Sequence, residues 1–482
     1  MRKANRMMKV IIGIVIAYAL YAFIFGVLLF NFHQPSISSE EKQNERLYEE
    51  RSSTDRVVLI EDRMDAAIAR INLIENAETS LDIAYYTTHS GKASDVFFAS
   101  IIDAADRGVQ VRVLLDGLFH NLRGENRDII SAFAFHPNVE LKLYEPLDVL
   151  RPWSWNNRLH DKMMIVDHDL AIIGGRNIGD SYFASEGYDG AKNDRDVIIV
   201  NANEKKKDTV IHDMHQYFQH VWSHNYSKRP KMLETNRQLN RGEKATSELR
   251  TFLEQYQMNN NELFQQDINW LDESIPTNRV SFIHNPIERL NKEPIVWGEV
   301  VNLIESAEKS IVLQSPYIIP TPKMMQYMNK ENVSAEDIVM ITNSLAASPN
   351  VIAQSGYTIH REDIANSNVK LYEFQGPAES LHTKTFIFDD RISVIGTFNF
   401  DSRSTFLNTE SVVVIDSEEF AAKVNSEIDE VLERGSLLVD GDGSYYQNPY
   451  VIEAEVSRIK EWITSGLSFF TRYFQHLLLI KF

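Results

Sequence analysis

The hydropathy pattern opens on one unbroken apolar run. Val10 to Phe30 holds 21 residues without a charge, long enough as a helix to cross a hydrocarbon core of about 30 Å. Residues 31–56 are polar and charged, with Pro35 and several serines, and read as a stalk. From Val57 the pattern changes to amphipathic helical stretches alternating with short apolar runs. Asn72-Leu-Ile-Glu-Asn-Ala-Glu-Thr-Ser-Leu81 reads as the end of a helix running into a strand, and returns as Asn302-Leu-Ile-Glu-Ser-Ala-Glu-Lys-Ser-Ile311. Asn138-Val-Glu-Leu-Lys-Leu-Tyr-Glu145 returns as Asn368-Val-Lys-Leu-Tyr-Glu373. Between these segments, Val109 to Asp116 and Ile338 to Asn343 each follow a helical pattern and read as strands.

Strand and helix in alternation, twice in the same order, predict an internally duplicated α/β protein. The expected architecture is two pseudo-repeated α/β domains with mixed sheets packed about a pseudo-twofold axis, plus an N-terminal transmembrane helix. The segments divide into a cytoplasmic N-terminus (1–9), the membrane helix (10–30), the stalk (31–56), domain 1 (57–202), a helical connector without counterpart (203–275), domain 2 (276–450) and a C-terminal amphipathic helix (451–482). The lysines at 205–207 and 228–231 read as solvated faces of the connector. In the last segment Ile459, Trp462, Ile463, Leu467, Phe470, Phe474 and Leu477 lie at near-helical spacing. They fit either an interfacial membrane helix or a helix capping the core.

Charge orients the anchor. Arg2, Lys3, Arg6 and Lys9 precede the apolar run with no acidic residue among them, and Glu40, Glu41, Glu45, Glu49 and Glu50 follow it. The positive-inside rule then puts the N-terminus in the cytoplasm and the body outside a bacterial cell membrane crossed once. The run is longer than a cleaved signal's apolar segment, and no small-residue site follows it directly. A net charge of −19 argues against a nucleic-acid partner. The absence of cysteine excludes disulfides and thiolate metal sites.

Two segments carry chemistry. Arg158-Leu-His160-Asp-Lys162-Met-Met-Ile-Val-Asp167 and Ser380-Leu-His382-Thr-Lys384-Thr-Phe-Ile-Phe-Asp389 both fit His-x-Lys-x4-Asp. Composition alone predicts on the order of 0.04 such matches. Both copies also place a glycine 14 residues after the histidine (Gly174, Gly396) and an asparagine 17 after it (Asn177, Asn399). On a strand, His and Lys two apart point to one face, so an imidazole and an ammonium converge. The apolar residues before each Asp fit a buried strand. Gly175 and Thr397, small residues at the following turn, permit close backbone approach, and the Asn177 and Asn399 amides can donate to a phosphate.

The duplicated motif resembles that of the phospholipase D superfamily, and the resemblance extends from about Val57 to Phe482. It is most similar to bacterial cardiolipin synthases, through Gly174-Gly-Arg-Asn-Ile-Gly-Asp-Ser-Tyr-Phe183, Ser315-Pro-Tyr-Ile-Ile-Pro320, Thr342-Asn-Ser-Leu-Ala-Ala347, Gly396-Thr-Phe-Asn-Phe-Asp-Ser-Arg-Ser404 and Leu407-Asn-Thr-Glu410. It departs at Ser348-Pro349, where that branch carries an Asp. The resemblance implies a phosphatidyltransferase acting on phosphatidylglycerol, with phosphatidylethanolamine as another acceptor. Water in the acceptor's place would make it a phospholipase D, and other branches are nucleases or phosphodiesterases. It implies two-step transfer through a phosphohistidine, with no cofactor and no metal because lysines neutralise the phosphate. His160 is then the nucleophile and His382 the acid/base, an order the residues alone leave reversible. A carboxylate in the strand after each motif would orient each imidazole. Glu410 fits in the second half. Asp194 is preferred in the first, with Asp196 open and expected on the same strand face. Asp167 and Asp389 belong to the motif, but turn anchoring is the reading favoured for both.

Overall fold

The computed structural model describes residues 2–33, 54–202, 209–230, 235–376 and 378–474. Most of the stalk, Lys205–Lys207 and Leu477 lie outside them.

The first half contributes β1 (Asp55–Ile60), β2 (Ser80–Tyr85), β3 (Gln110–Asp116), β4 (Val139–Tyr144), β5 (Lys162–Val166), β6 (Leu170–Gly174), β7 (Ala191–Asn193), β8 (Asp196–Asn201) and β9 (Ser227–Lys228). The second contributes β10 (Ile275–Pro276), β11 (Arg279–His284), β12 (Ser310–Gln314), β13 (Asp337–Asn343), β14 (Val369–Phe374), β15 (Glu379–Leu381), β16 (Thr385–Phe388), β17 (Ile392–Gly396), β18 (Ser411–Asp416) and β19 (Ser436–Leu438). One sheet runs β10-β1-β8-β6-β5-β2-β3-β4-β9 and the other β11-β18-β17-β16-β12-β13-β14-β19. From β1 to β9 and from β11 to β19 the orders coincide strand for strand. Within each, the β2-β3-β4 and β12-β13-β14 ladders are parallel and the rest antiparallel, so both sheets are mixed as the alternating pattern predicts.

The repeat reaches further than the sequence pattern indicated. After β8 the helix Val210–Ser223 leads to β9, which pairs antiparallel with β4. After β18 the helix Glu418–Gly435 leads to β19, which pairs antiparallel with β14. The first part of the expected connector is therefore a repeated element. What has no counterpart is the stretch around the helix Asn236–Asn259, which packs across the helices Lys92–Asp106 and Arg127–Phe135. Its Gly242 lies so close to Phe135 and the Ser131 carbonyl that a Cβ would collide with both.

Three apolar cores layer the molecule. One lies between the first sheet and its outer helices, and one between the second sheet and its own. The middle core takes residues from both halves, including Val57, Met163, Ile173, Val197, Ile387, Ile395 and Val413, with both repeated helices. Central strands buried on both faces explain why β5 and β16 read as continuous apolar runs.

The apolar N-terminal helix, Asn5–Phe32, is long and apolar enough to cross a membrane. Its second half is docked on the body. Phe30 is 2% exposed within the second domain's core. Asn291 donates to the Phe30 and His33 carbonyls at 2.7 and 2.6 Å, and Asn156 to Gly26 O at 2.8 Å. At Ile24–Leu28 the helix widens into a π turn, with Gly26 against Pro152 and Trp155.

The C-terminal helix Arg458–Phe474 packs on the helix Val351–Thr358. Its docked side is polar: Lys460 Nζ donates to the Ala346 and Ser348 carbonyls, and Thr464 and Thr471 are buried. Ile459, Trp462, Phe469 and Phe470 are left exposed. One face of the helix therefore caps the body, and its exposed face carries the apolar residues on which the interfacial reading rests.

Candidate active site

Both motifs stand at the entrance of a strand rather than within it. His160 precedes β5, whose first residue is Lys162, and His382 and Lys384 immediately precede β16. Each histidine segment is fixed by a parallel pairing with the other half. Leu159 pairs with Thr409, and the Thr409 hydroxyl accepts from the His160 backbone N–H at 3.0 Å. In the second copy β15 pairs parallel with β7, and His382 N–H donates to the Asn193 carbonyl at 2.7 Å.

The next residue after each of these partners is a carboxylate, and the two carboxylates are exchanged between the halves. Glu410 Oε2 lies 2.9 Å from His160 Nδ1, and Asp194 Oδ2 lies 2.5 Å from His382 Nδ1. Glu410 and Asp194 are both fully buried. Burial pushes the Glu410 carboxyl up to about 7, against the pull of Lys162 and its hydrogen bonds, and pushes Asp194 up to about 6, against Lys384. A buried charge facing an imidazole fixes the ring's tautomer by binding Nδ1.

The lysines complete the site. Lys162 Nζ donates to its own motif's His160 carbonyl at 2.6 Å and lies over the Tyr86 ring. Burial lowers it to about 7, with Glu410 opposing and the Lys384 charge adding to the fall. Lys384 Nζ donates to the His382 carbonyl, lies 2.9 Å from His382 Nδ1 and reaches Asp194 at 3.9 Å. The two ammonium groups feel one another, so both motifs serve one centre.

The remaining expected residues divide by position. Asp194 lies between β7 and β8, not on a strand, and the shared-face expectation with Asp196 does not hold. Asp196 begins β8 and is held by Arg70 at 2.8 Å and Arg176 at 3.0 Å. Burial alone would raise it, but those two guanidiniums keep it below the usual carboxylate range. Asp167 and Asp389 stand at the far ends of β5 and β16. Asp167 accepts the backbone N–H groups of Glu78, Thr79 and Ser80, and Asp389 those of Glu308, Lys309 and Ser310. They anchor the turns that enter β2 and β12, at the opposite end of each strand from its motif histidine.

Gly175 faces Asp194 so closely that a Cβ would strike the carboxylate. Thr397, its counterpart, donates its hydroxyl to Glu410 at 2.6 Å. Both positions shape the carboxylates rather than the phosphate space. Asn177 donates to the Tyr182 hydroxyl at 2.9 Å, and the Asn177 and Asn399 amide oxygens are buried without a hydrogen-bond partner.

Several further residues of the site are not singled out by the spacing of the motifs. Tyr86 and Tyr182 set their rings edge-on to His160 and His382, at 5.0 and 5.4 Å. Asp161 accepts from Tyr217, Thr409 and Ser411, tying the first motif to the second half. The Lys292 ammonium is buried without a hydrogen-bond partner, and burial lowers it to about 7 against Glu288, Asp161 and Glu410. Its neighbours on either side, Asn291 and Glu293, give no sequence reason to choose it.

Two mixed sheets that share one order of eight strands, joined over one centre with a histidine and a lysine from each half, define the class. The family model described as cardiolipin synthase, phospholipase D-like domain, matches residues 70–222 and 300–432. The chain belongs to this family, within the phospholipase D superfamily. It is 29% identical over 403 residues to cardiolipin synthase C of Escherichia coli K12, covering 76% of this chain and 82% of the relative. It is 22% identical over 470 residues to the minor cardiolipin synthase ClsB of Bacillus subtilis 168, covering 96% and 100%. The solved structure of a phosphatidylserine synthase from Haemophilus influenzae Rd KW20 shares the fold, at TM-score 0.59 and 14% identity over 86% of this chain and 93% of that one.

Proposed function

We propose that this protein is a cardiolipin synthase-type phosphatidyltransferase that moves a phosphatidyl group from phosphatidylglycerol to the hydroxyl of a second lipid. The observation that carries this reading is the crosswise pairing of each motif histidine with the other half's carboxylate, beside two buried lysines. The names of the relatives support the lipid substrate.

With Nδ1 of each ring turned to a carboxylate, chemistry falls to Nε2. In the first step His160 Nε2 forms a bond to phosphorus while the bond to the glycerol oxygen breaks, and His382 gives that oxygen a proton. In the second, His382 takes a proton from the acceptor hydroxyl. The acceptor oxygen bonds phosphorus, and the phosphorus–nitrogen bond breaks. Lys162 and Lys384 offset the charge on the non-bridging oxygens. Turned about, with the Tyr182 hydroxyl donating to its oxygen, the Asn177 amide would aim its N–H at the same oxygens. The basic residues before the apolar helix support an N-terminus inside the cell and a catalytic body outside.

The test is mass spectrometry of lipids made by the purified protein from defined phosphatidylglycerol and phosphatidylethanolamine. The expected product is cardiolipin with release of glycerol. Phosphatidic acid without cardiolipin would make the protein a hydrolase, and no turnover of either lipid would remove the reading.

A further inference from the structure

The membrane helix is too deeply docked for the body to stand clear of the bilayer. Its first hydrogen bond to the body among the described residues is at Tyr18, whose hydroxyl donates to the Val149 carbonyl at 3.0 Å. Before that contact the uncharged run offers only Val10 to Ala17, about 12 Å of helix at 1.5 Å per residue. A hydrocarbon core is about 30 Å thick. Only the full run to Phe30 spans it, and from Tyr18 onward that run carries the body along its side.

We propose that the segment Leu147–Trp153, which joins β4 to the first motif, enters the hydrocarbon core beside the anchor, reaching about its midplane, and forms a second, lipid-inserted surface. This rests on the reading of the apolar helix as membrane-spanning.

Three features of the segment fit a lipid surround. Its apolar side chains face outward: Leu147, Val149 and Leu150 are 55%, 53% and 72% exposed. Its carbonyls from Asp148 to Pro152 all accept hydrogen bonds from the protein, which lowers the cost of placing them in hydrocarbon. Tyr18 and Tyr21 of the anchor donate to the Val149 and Leu150 carbonyls, Trp155 Nε1 to Asp148 O, and Ser154 N–H to Arg151 O. Its two charges, Asp148 and Arg151, pair with each other at 3.6 Å. An aromatic chain of Tyr21, Phe25 and Trp153 seals helix to loop. The same segment runs on through Asn156, which holds Gly26 O and accepts from Arg403, to Arg158 and His160. Insertion therefore sets the first motif at the depth of a phospholipid's phosphate, so that a lipid need not leave the leaflet to react.

The natural chain has no cysteine, so single-cysteine labelling of the full-length protein tests this directly. Leu150→Cys, Ile14→Cys and Lys423→Cys are each labelled with an environment-sensitive fluorophore. The proteins are reconstituted in phosphatidylethanolamine–phosphatidylglycerol vesicles, with and without nitroxide lipids, and titrated with iodide. Lys423 is exposed on the helix Glu418–Gly435. The expected result is nitroxide quenching at Ile14 and Leu150, with iodide quenching at Leu150 at least about fivefold weaker than at Lys423, since an ion is excluded from hydrocarbon. If Ile14 is quenched by nitroxide but Leu150 meets iodide as Lys423 does, the anchor stands and the insertion is overturned. Leu150 shielded from both quenchers would indicate a protein contact, which also overturns it. An Ile14 probe untouched by nitroxide would remove the anchor and the inference together.

Discussion

The two half-sites share a plan and differ in its execution. In the first, His160 meets a glutamate at 2.9 Å whose second contact is the Thr397 hydroxyl, while Lys162 turns to a backbone carbonyl. In the second, His382 meets a shorter aspartate at 2.5 Å, made possible by a glycine, and Lys384 also reaches the imidazole's Nδ1. His382 Nδ1 thus faces both a carboxylate and an ammonium, whereas His160 Nδ1 faces the Glu410 carboxylate. A nucleophile needs one fixed state. The acid/base role proposed for His382 requires it to change state twice in each cycle, and a ring held between a carboxylate and an ammonium suits that task. Duplication supplied two copies of one strand entrance, and the exchange of carboxylates made neither half sufficient without the other.

The sharpest way to break this comparison is to remove each histidine in turn. His160→Asn and His382→Asn should each lower turnover by about 10³-fold or more. They should differ in what accumulates. With phosphatidylglycerol labelled at phosphorus and quenching in alkaline detergent, which preserves a phosphorus–nitrogen bond, His382→Asn should retain label on the protein, and His160→Asn should retain none. The opposite pattern would exchange the roles, and label on neither would remove the covalent intermediate.

A second test compares the equivalent small residues. Alanine at Gly175 drives a methyl into the Asp194 carboxylate, so Asp194 must withdraw from His382, and turnover should fall about 10²-fold, as expected when an imidazole loses its orienting partner. Thr397→Ala deletes one hydrogen bond to Glu410 and leaves the carboxylate in place, so the loss should be about tenfold. Steady-state rates on one lipid mixture decide between them. Equal losses would mean that the two positions do the same work after all.

Much of this was legible before the structure. Spacing placed both histidines and lysines, and the short echoes around Asn72 and Asn302 located β2 and β12, because a buried parallel strand advertises itself as an apolar run after a helix. The exchange of carboxylates was not legible. It depends on two pairings far apart in the chain, Leu159 with Thr409 and Leu381 with Asn193, and no local pattern records such a partner. The separation of Asp194 from Asp196 was lost for a related reason. Two residues apart on a strand would share a face, but the chain leaves the strand between them, and only the guanidiniums of Arg70 and Arg176 identify which carboxylate is structural. The docking of Phe30 was hidden because an apolar run reads the same against lipid as against protein. The helix after β8 was missed as a repeat because its sequence, unlike its packing, has diverged from that after β18.

The smallest expected effect separates the two carboxylates by pH. Glu410 is raised from 4.5 to about 7 and Asp194 from 3.8 to about 6, in both cases chiefly by burial. A carboxyl raised on folding binds its proton more tightly in the folded state. Below the unfolded value both states are protonated and no penalty exists. As pH climbs toward the folded value the unfolded chain loses the proton first, so stability falls, and above the folded value the penalty is constant. Neutral replacements should recover part of that loss, on the order of 1–3 kcal/mol at alkaline pH and almost nothing near pH 4. The gain from Asp194→Asn should level off near pH 6, while that from Glu410→Gln should keep growing to about pH 7. Both variants should be catalytically impaired while being no less stable than the parent at pH 8. Thermal melts in detergent between pH 4 and pH 8 read this out. Gains that shrink as pH rises would mean that the lysines hold these carboxylates ionised throughout, and the two half-sites would then be electrostatically alike.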